Sequence, residues 1–151
     1  MRQHGSIDYP IKESGKINSR ATASIPEHSH SEGIQFLCAD AMNLPANLGQ
    51  FDYVHAANLI CRLPDLAKLL NRLPDLVLPG GYLVLATPCT WLEQFTPPEN
   101  QPSEDTFEWL SELLCHSFEL VKKADEPFLI RETARKFQWS VSLVTKWKRI
   151  V

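Results

Sequence analysis

Three polar side chains in this chain follow short apolar runs: Asp40 after IQFLCA, Asn58 after FDYVHAA and Thr87 after YLVLA. Where such runs are strands of an open α/β sheet, their carboxyl ends form the edge at which ligands bind. Asp40 then offers an acceptor carboxylate with Ala41 and Met42 beside it, or else caps the turn at 41–44. Asn58, next to Leu59, presents a carboxamide to a ligand or caps its own turn. Arg62 can grip a carboxylate with both arms of its guanidinium, or pair with Asp65 at the surface. Thr87, Thr90 and Trp91 follow the last run, with Trp91 as either a pocket wall or a core side chain. All of these groups bind or orient, and no catalytic residue is assigned.

Other reactive residue types read more plainly. His55 alternates with Tyr53 and Ala57 inside its run, the position of a hydrogen-bonded core histidine rather than a base. His28 and His30 form an HxH pair in a Ser/Glu/His stretch with no third ligand close by, so a solvated loop is expected and no metal. Cys38, Cys61, Cys89 and Cys115 include no CxxC pair, and three fall in or beside expected buried strands, as reduced structural thiols do. Arg131, Glu132 and Arg135 either order a substrate lid or cover a solvated face.

The elements that must position these residues are those of a single α/β domain. The chain has 151 residues, 44% of them apolar and 22% charged, enough to bury a core. A net charge of −3 without a basic stripe disfavours a nucleic-acid partner, and a small-molecule substrate is the default. No apolar run reaches the ~18 residues of a membrane span, and the polar start MRQHGSIDYPIKESG has no secretory apolar core, so no membrane role and a cytoplasmic location are expected.

Residues 1–33, rich in Ser, Gly and charge, read as a mostly irregular connecting segment, with at most a short extended piece at 7–11. Apolar runs at 34–38, 51–57 and 82–86 read as strands buried on both faces. Leu66, Leu69, Leu70 and Leu73 have the i, i+3, i+4, i+7 spacing of a helix packed on a sheet, and Pro74 should end or bend it. Strand, helix and strand make one parallel crossover. Ser103 reads as the cap of a second helix, with Glu104 and Asp105 in its first turn and Phe107, Leu110, Leu113 and Leu114 on its apolar face. From Phe137 to Trp147 the odd-numbered residues alternate with a more polar set, predicting a strand that pairs antiparallel with one near 118–122.

The strings QHGSIDYPIKESG, FLCADAMNLP, FDYVHAANLICRL, LPGGYLVLATPCTWLEQFTP and PFLIRETARKFQWSVSLVTKW resemble a known family over nearly the whole chain. They are similar to the methyltransferase domain at the C-terminus of ovothiol-biosynthesis enzymes, the 4-mercaptohistidine N1-methyltransferase family. The resemblance implies an incomplete Rossmann-like class I methyltransferase sheet over 34–151, mostly parallel with an antiparallel C-terminal hairpin. It implies S-adenosylmethionine as cofactor, contacted by Asp40, Ala41, Met42, Asn58 and Leu59, and a thiol-substituted histidine as substrate, contacted by Arg62, Thr90 and Trp91. Cys61 departs from the family's NLIDRL form, and ENQPSEDTF stands where related chains carry a longer Trp-Leu-Gly-Gly segment.

The resemblance also implies that this chain is N-terminally truncated. Its six glycines contain no GxGxxG, the turn whose backbone approaches the cofactor. Each hydrogen bond to a charged group is worth ~1.5–3 kcal/mol, so losing those anchors predicts a fragment inactive alone. Two strands that normally lie between 34–38 and 51–57 are missing, a gap of roughly 10 Å at ~4.8 Å per strand. The two flanking strands are expected to close up and pair. The partners expected are the missing N-terminal portion or another methyltransferase chain. The alternative is a degenerate, non-catalytic half-domain that docks on a complete methyltransferase through its open sheet edge.

Overall fold

The computed structural model describes residues 5–30 and 32–150. The chain folds as two compact units, one of Met1–Cys38 with Leu129–Trp139 and one of Ala39–Phe128 with Ser140–Val151. Residues 1–4, Ser31 and Val151, which the expected segments 1–33 and 34–151 include, lie outside the described residues.

In the first unit the expected connecting segment is instead a hairpin. Strand β1 (Ser6–Ser14) pairs antiparallel with β2 (Ile17–Ser24), from Ser6 opposite Ser24 to Ser14 opposite Ile17. The turn between them holds Gly15 in the left-handed region. Ile7, Tyr9 and Ile11 do alternate with Ser6, Asp8, Pro10 and Lys12, and Ile17, Ala21 and Ala23 with Asn18, Arg20, Thr22 and Ser24. The apolar members are few and exposed or only partly buried, so the segment reads as loop among its Ser, Thr and charged residues. Thr22 donates to Asp8 at 2.7 Å and Ser19 to Glu13 at 2.6 Å, so cross-strand polar pairs add to the small apolar face of Ile7, Tyr9, Ala21 and Ala23. His28 and His30 lie exposed beyond β2.

The second unit is built on a sheet in the order β3, β4, β6, β5, where β3 is Phe51–Ala57, β4 Val77–Thr87, β5 Phe118–Arg131 and β6 Phe137–Arg149. β3 and β4 are parallel, joined by helix α1 (Leu66–Leu76). Leu66, Leu69, Leu70, Leu73 and Leu76 are all buried, at ~1.5–3 kcal/mol for each side chain removed from water. Pro74 is tolerated in the last turn, and β4 begins directly after Leu76. Helix α2 (Thr106–Leu114) is capped by Asp105, not Ser103: its Oδ1 accepts from the amides of Phe107 and Glu108 at 2.9 and 3.3 Å. A side chain two residues nearer the helix reaches the first-turn amides that Ser103 cannot.

β6 pairs antiparallel with β4, Tyr82 opposite Lys148 through Thr87 opposite Leu143, and β5 lies on its other side across the turn at 132–136. The expected hairpin is therefore present. The alternation holds where β6 has cover, at Thr145 and Trp147, and fails further out, where Phe137, Trp139 and Val141 are exposed, Trp139 at 67%. Ser142, on the expected polar face, is buried.

Two expectations about the sheet are corrected. Residues 34–38 form no strand and their side chains are exposed, Phe36 at 81%. They do not close up against β3, and of the three strand pairings in the sheet only β3–β4 is parallel, so the sheet is mixed rather than mostly parallel. A parallel neighbour needs a crossover of a dozen or more residues that runs back along the strand. Here the connection at 39–50 contains only a short 3-10 turn, Ala46–Leu48, and Arg72 of α1 donates to the carbonyls of Pro45 and Ala46 at 3.5 and 3.2 Å. β3 is thus an edge strand, with Phe51 and Tyr53 about half exposed. The same open edge leaves His55 exposed, not in the core. Of the cysteines only Cys61 is buried; Cys38, Cys89 and Cys115 are exposed free thiols. Among the described residues no helix is long and apolar enough to cross a membrane.

Gly81 is where backbones meet most closely. A Cβ there would lie 2.8 Å from the Asp52 carbonyl oxygen of β3 and 2.9 Å from that of Leu78, at the register shift that the PGG turn introduces. Gly81→Ala is expected to cost about 1–3 kcal/mol, read as a lowered urea midpoint at unchanged slope. Gly80→Ala serves as comparison, since it meets only the left-handed φ of 79° and open space; a smaller loss for Gly81→Ala than for Gly80→Ala would contradict this packing. Tyr53→Lys on the open β3 edge is expected to reduce self-association in sedimentation at raised concentration without lowering the midpoint.

Candidate functional site

The parallel pair β3 and β4 ends with Asn58 and Thr87 side by side, because Ala57 registers with Ala86. The Asn58 amide donates to the Ala86 carbonyl at 2.7 Å, and Asn58 itself adopts the left-handed region at φ 51°, a conformation asparagine tolerates better than most residues. Ser142 of β6, buried behind this point, donates its hydroxyl to Asn58 Oδ1 at 3.1 Å. The carbonyl side of the carboxamide is thereby held. Leu59, half-buried, packs against the core beside it.

The loop after β4 is fastened from below. Thr87 is buried and its Oγ1 accepts from the Cys89 amide at 3.2 Å, while Cys89 takes φ 53°. Burial pushes the Cys89 thiol above its ordinary value, against a lowering by the Thr106 hydroxyl; Asp105, Cys61 and Asp125 raise it further. A thiol held protonated is a poorer nucleophile than a thiolate.

Arg62 is placed by a 3-10 turn, Ile60–Arg62, and its guanidinium is spent inside the protein. Nη1 donates to the carbonyls of Thr90 at 2.8 Å and Cys61 at 3.0 Å, Nη2 approaches Thr90 Oγ1 at 3.4 Å, and the group lies 5.0 Å from the centre of the Phe95 ring. The alternative of a surface ion pair with Asp65 is not formed, since Asp65 pairs with Lys68 instead. Arg62 is a clamp that joins the loop after β3 to the loop after β4. Thr96 completes the junction from the far side, buried and donating to the Leu63 carbonyl at 2.8 Å. Trp91 likewise faces inward: its indole donates to Thr106 Oγ1 at 3.1 Å and its ring meets Trp109 edge to face at 6.0 Å. It is half-buried against the core cluster, the core reading rather than a free wall.

Asp40 forms a tight turn of its own. Its Oδ1 accepts from the Met42 amide at 2.9 Å and its carbonyl from the Asn43 amide at 3.0 Å. This is the capping alternative realised, yet a carboxylate has about four acceptor positions, and the exposed side chain keeps most of them. Ala41 and Met42 are half-buried against the core cluster, as are Leu59 and Trp91. The structure thus brings together Asn58 with Ser142, and Arg62 with Thr90 and Cys61, while Asp40 is bonded only within its own turn. Ser142, Thr96 and Thr106 were missed by the sequence; each is a small hydroxyl in a position that carries no periodic signal. Arg131, Glu132 and Arg135 lie at the turn between β5 and β6 in the first unit.

Comparison with known proteins gives partial similarity in sequence and a likeness of fold. Residues 13–85 match a family described as a methyltransferase domain. The chain is 24% identical over 157 aligned positions to a probable chloroplastic tocopherol O-methyltransferase of Oryza sativa subsp. japonica, covering 99% of this chain and 42% of that protein. It is 36% identical over 58 residues to a methyltransferase of Strobilurus tenacellus, covering 38% of this chain and 21% of that one. It therefore spans less than half the length of either relative. A solved S-adenosylmethionine-dependent methyltransferase from Methanosarcina mazei superposes with a TM-score of 0.53 at 17% identity, over 75% of this chain and 66% of its own, a likeness of fold. What the chain shares with these proteins is the α/β methyltransferase pattern, and S-adenosylmethionine is the cofactor that the similarities support.

Proposed function

We propose that this chain is the sheet-closing portion of an S-adenosylmethionine-dependent N-methyltransferase that acts on an imidazole nitrogen of 4-mercaptohistidine, in the cytoplasm, and that it needs a further methyl-donor anchor to turn over. The observation that supports this most is the junction of the two loops at the carboxyl edge of β3 and β4. NLICRL and TPCTWLEQFTP, the most distinctive strings of the resemblance, are bonded to each other through Arg62 with Thr90 and Thr96 with Leu63. They act as one unit, which is why they read as one signature.

The residues present fit one end of the cofactor. The free acceptor positions of Asp40 suit an adenine amino group, and Ala41 and Met42 offer half-buried apolar surface beside it. They do not fit the methionine end: Gly5, Gly15, Gly33, Gly49 and Gly80 take positive φ with nothing near them, and Gly81 packs on β3. When bound, the cofactor supplies an electrophilic methyl on sulfonium. The chain's own part is to orient the acceptor and exclude water. A neutral imidazole already presents a lone pair, and the Asn58 NH2 group, directed by Ser142, is a donor suited to the ring substituent or the carboxylate of such a substrate. The second reading, a non-catalytic half-domain docked on a complete methyltransferase, draws support from the open β3 edge.

Calorimetric titration of the lone chain with S-adenosylmethionine is expected to give no micromolar binding. Co-expression with a fragment carrying a strand, a glycine-rich turn and an acidic strand end should restore it. Asp40→Ala should then weaken the restored site about tenfold, close to 1.4 kcal/mol. Micromolar binding by the chain alone would remove the need for the added anchor, and a stable complex that never binds the cofactor would favour the docking module.

A further inference from the structure

The string IRETARKFQ takes no part in the site described above, yet the structure builds something from it. Its residues turn from β5 into β6 as a closely braced loop. Glu132 and Thr133 amides donate to the Lys136 carbonyl at 2.9 and 3.2 Å, and Thr133 Oγ1 accepts from the amides of Arg135 and Lys136 at 3.2 and 3.0 Å. The Ala134 amide donates to the Lys12 carbonyl at 2.9 Å, fastening the turn to β1. Between them lies a cleft of about 280 Å³, lined on one side by Tyr9 to Lys12 and on the other by Arg131 to Thr133.

The charges in this cleft are unequal. Arg131 is fixed by its Nε, which donates to the Thr133 carbonyl at 3.2 Å, and by the Phe137 ring 5.8 Å from its guanidinium carbon. Its two terminal nitrogens, and the ammonium of Lys12, make no ion pair among the described residues. Glu132, the one acid lining the cleft, is already paired with Lys136. A guanidinium held by its inner nitrogen and presenting its outer pair is arranged for two-point contact with a planar carboxylate. The nearby Glu132 disfavours a dianion, and the volume suits a molecule of amino-acid size.

We infer that the cleft between β1 and the β5–β6 turn binds a small carboxylate of amino-acid size, with Arg131 as the fork and Lys12 as the second cation. This goes beyond the methyl-transfer reading and does not need the cofactor, so its test is separate from that of the reading above.

The test is titration of the full chain, followed by amide chemical shifts of Tyr9, Ile11, Lys12 and residues 131–133, with L-histidine, L-histidinamide, acetate and inorganic phosphate. L-histidine and acetate are expected to shift these residues saturably in the millimolar range, histidinamide not, and phosphate no more tightly than acetate. Arg131→Gln and Lys12→Ala should each weaken L-histidine at least fivefold, while Lys16→Ala in the β1–β2 turn should not. If Arg131→Gln perturbs the fold, Lys12→Ala alone decides. Equal binding of histidine and histidinamide, tighter binding of phosphate, or unchanged binding in Lys12→Ala would overturn the assignment.

Discussion

The burial of one leucine stripe under one parallel pair of strands is what holds the central sheet and everything attached to it. Five leucines of α1 are buried with almost no exposure, four of them in the core cluster that also holds Ala56 of β3 and Leu83 and Leu85 of β4. That burial fixes the register in which Ala57 faces Ala86, and the register sets Asn58 and Thr87 at the same edge. The bonds from Ser142 to Asn58 and from Arg62 to Thr90 are both drawn at this edge. The core fills in behind it with Ile60, Leu83, Leu85, Leu110, Leu114, Phe118 and Trp147.

The same packing explains where the sheet is incomplete. β6 covers β4 and β5 covers β6, but nothing among the described residues pairs with the outer side of β3. A strand of alternating Phe51, Tyr53 and His55 with open backbone groups is an unusual edge for a protein to leave bare. Residues 34–38 form no strand and do not pair with it. The apolar surface they would have covered stays in water, and so does their own.

At the site, the side chains that read as ligand-binding are largely engaged in holding loops. Arg62 bonds to Thr90 and Trp91 to Thr106, so each fastens one loop to another part of the chain. Asp40 and Asn58 remain partly available because each has capacity beyond the one bond that fixes it. A charged group with several donors, surrounded by carbonyls, is consumed by structure before it can serve recognition, whereas a short acceptor at a strand end is fixed by a single bond and keeps the rest.

Residue order alone was enough to establish the local elements: the leucine stripe of α1, the strands at 51–57 and 82–86, the closing hairpin and the lack of a glycine-rich turn, since periodicity and residue type act over a few neighbours. It misjudged 6–24 because the alternation of Ile7, Tyr9 and Ile11 there is short and set among Ser, Thr and charged residues, and it misjudged the outer half of β6 because alternation records a capacity for burial and not whether a cover exists. Folding in three dimensions was needed to settle that 34–38 stays out of the sheet, that Arg62 is a clamp, that Ser142 orients Asn58, and that Lys12 and Arg131 share a cleft. Each of these depends on which residues distant in sequence meet in space, and bonding partners 28, 84 or well over a hundred positions apart leave no mark on local pattern.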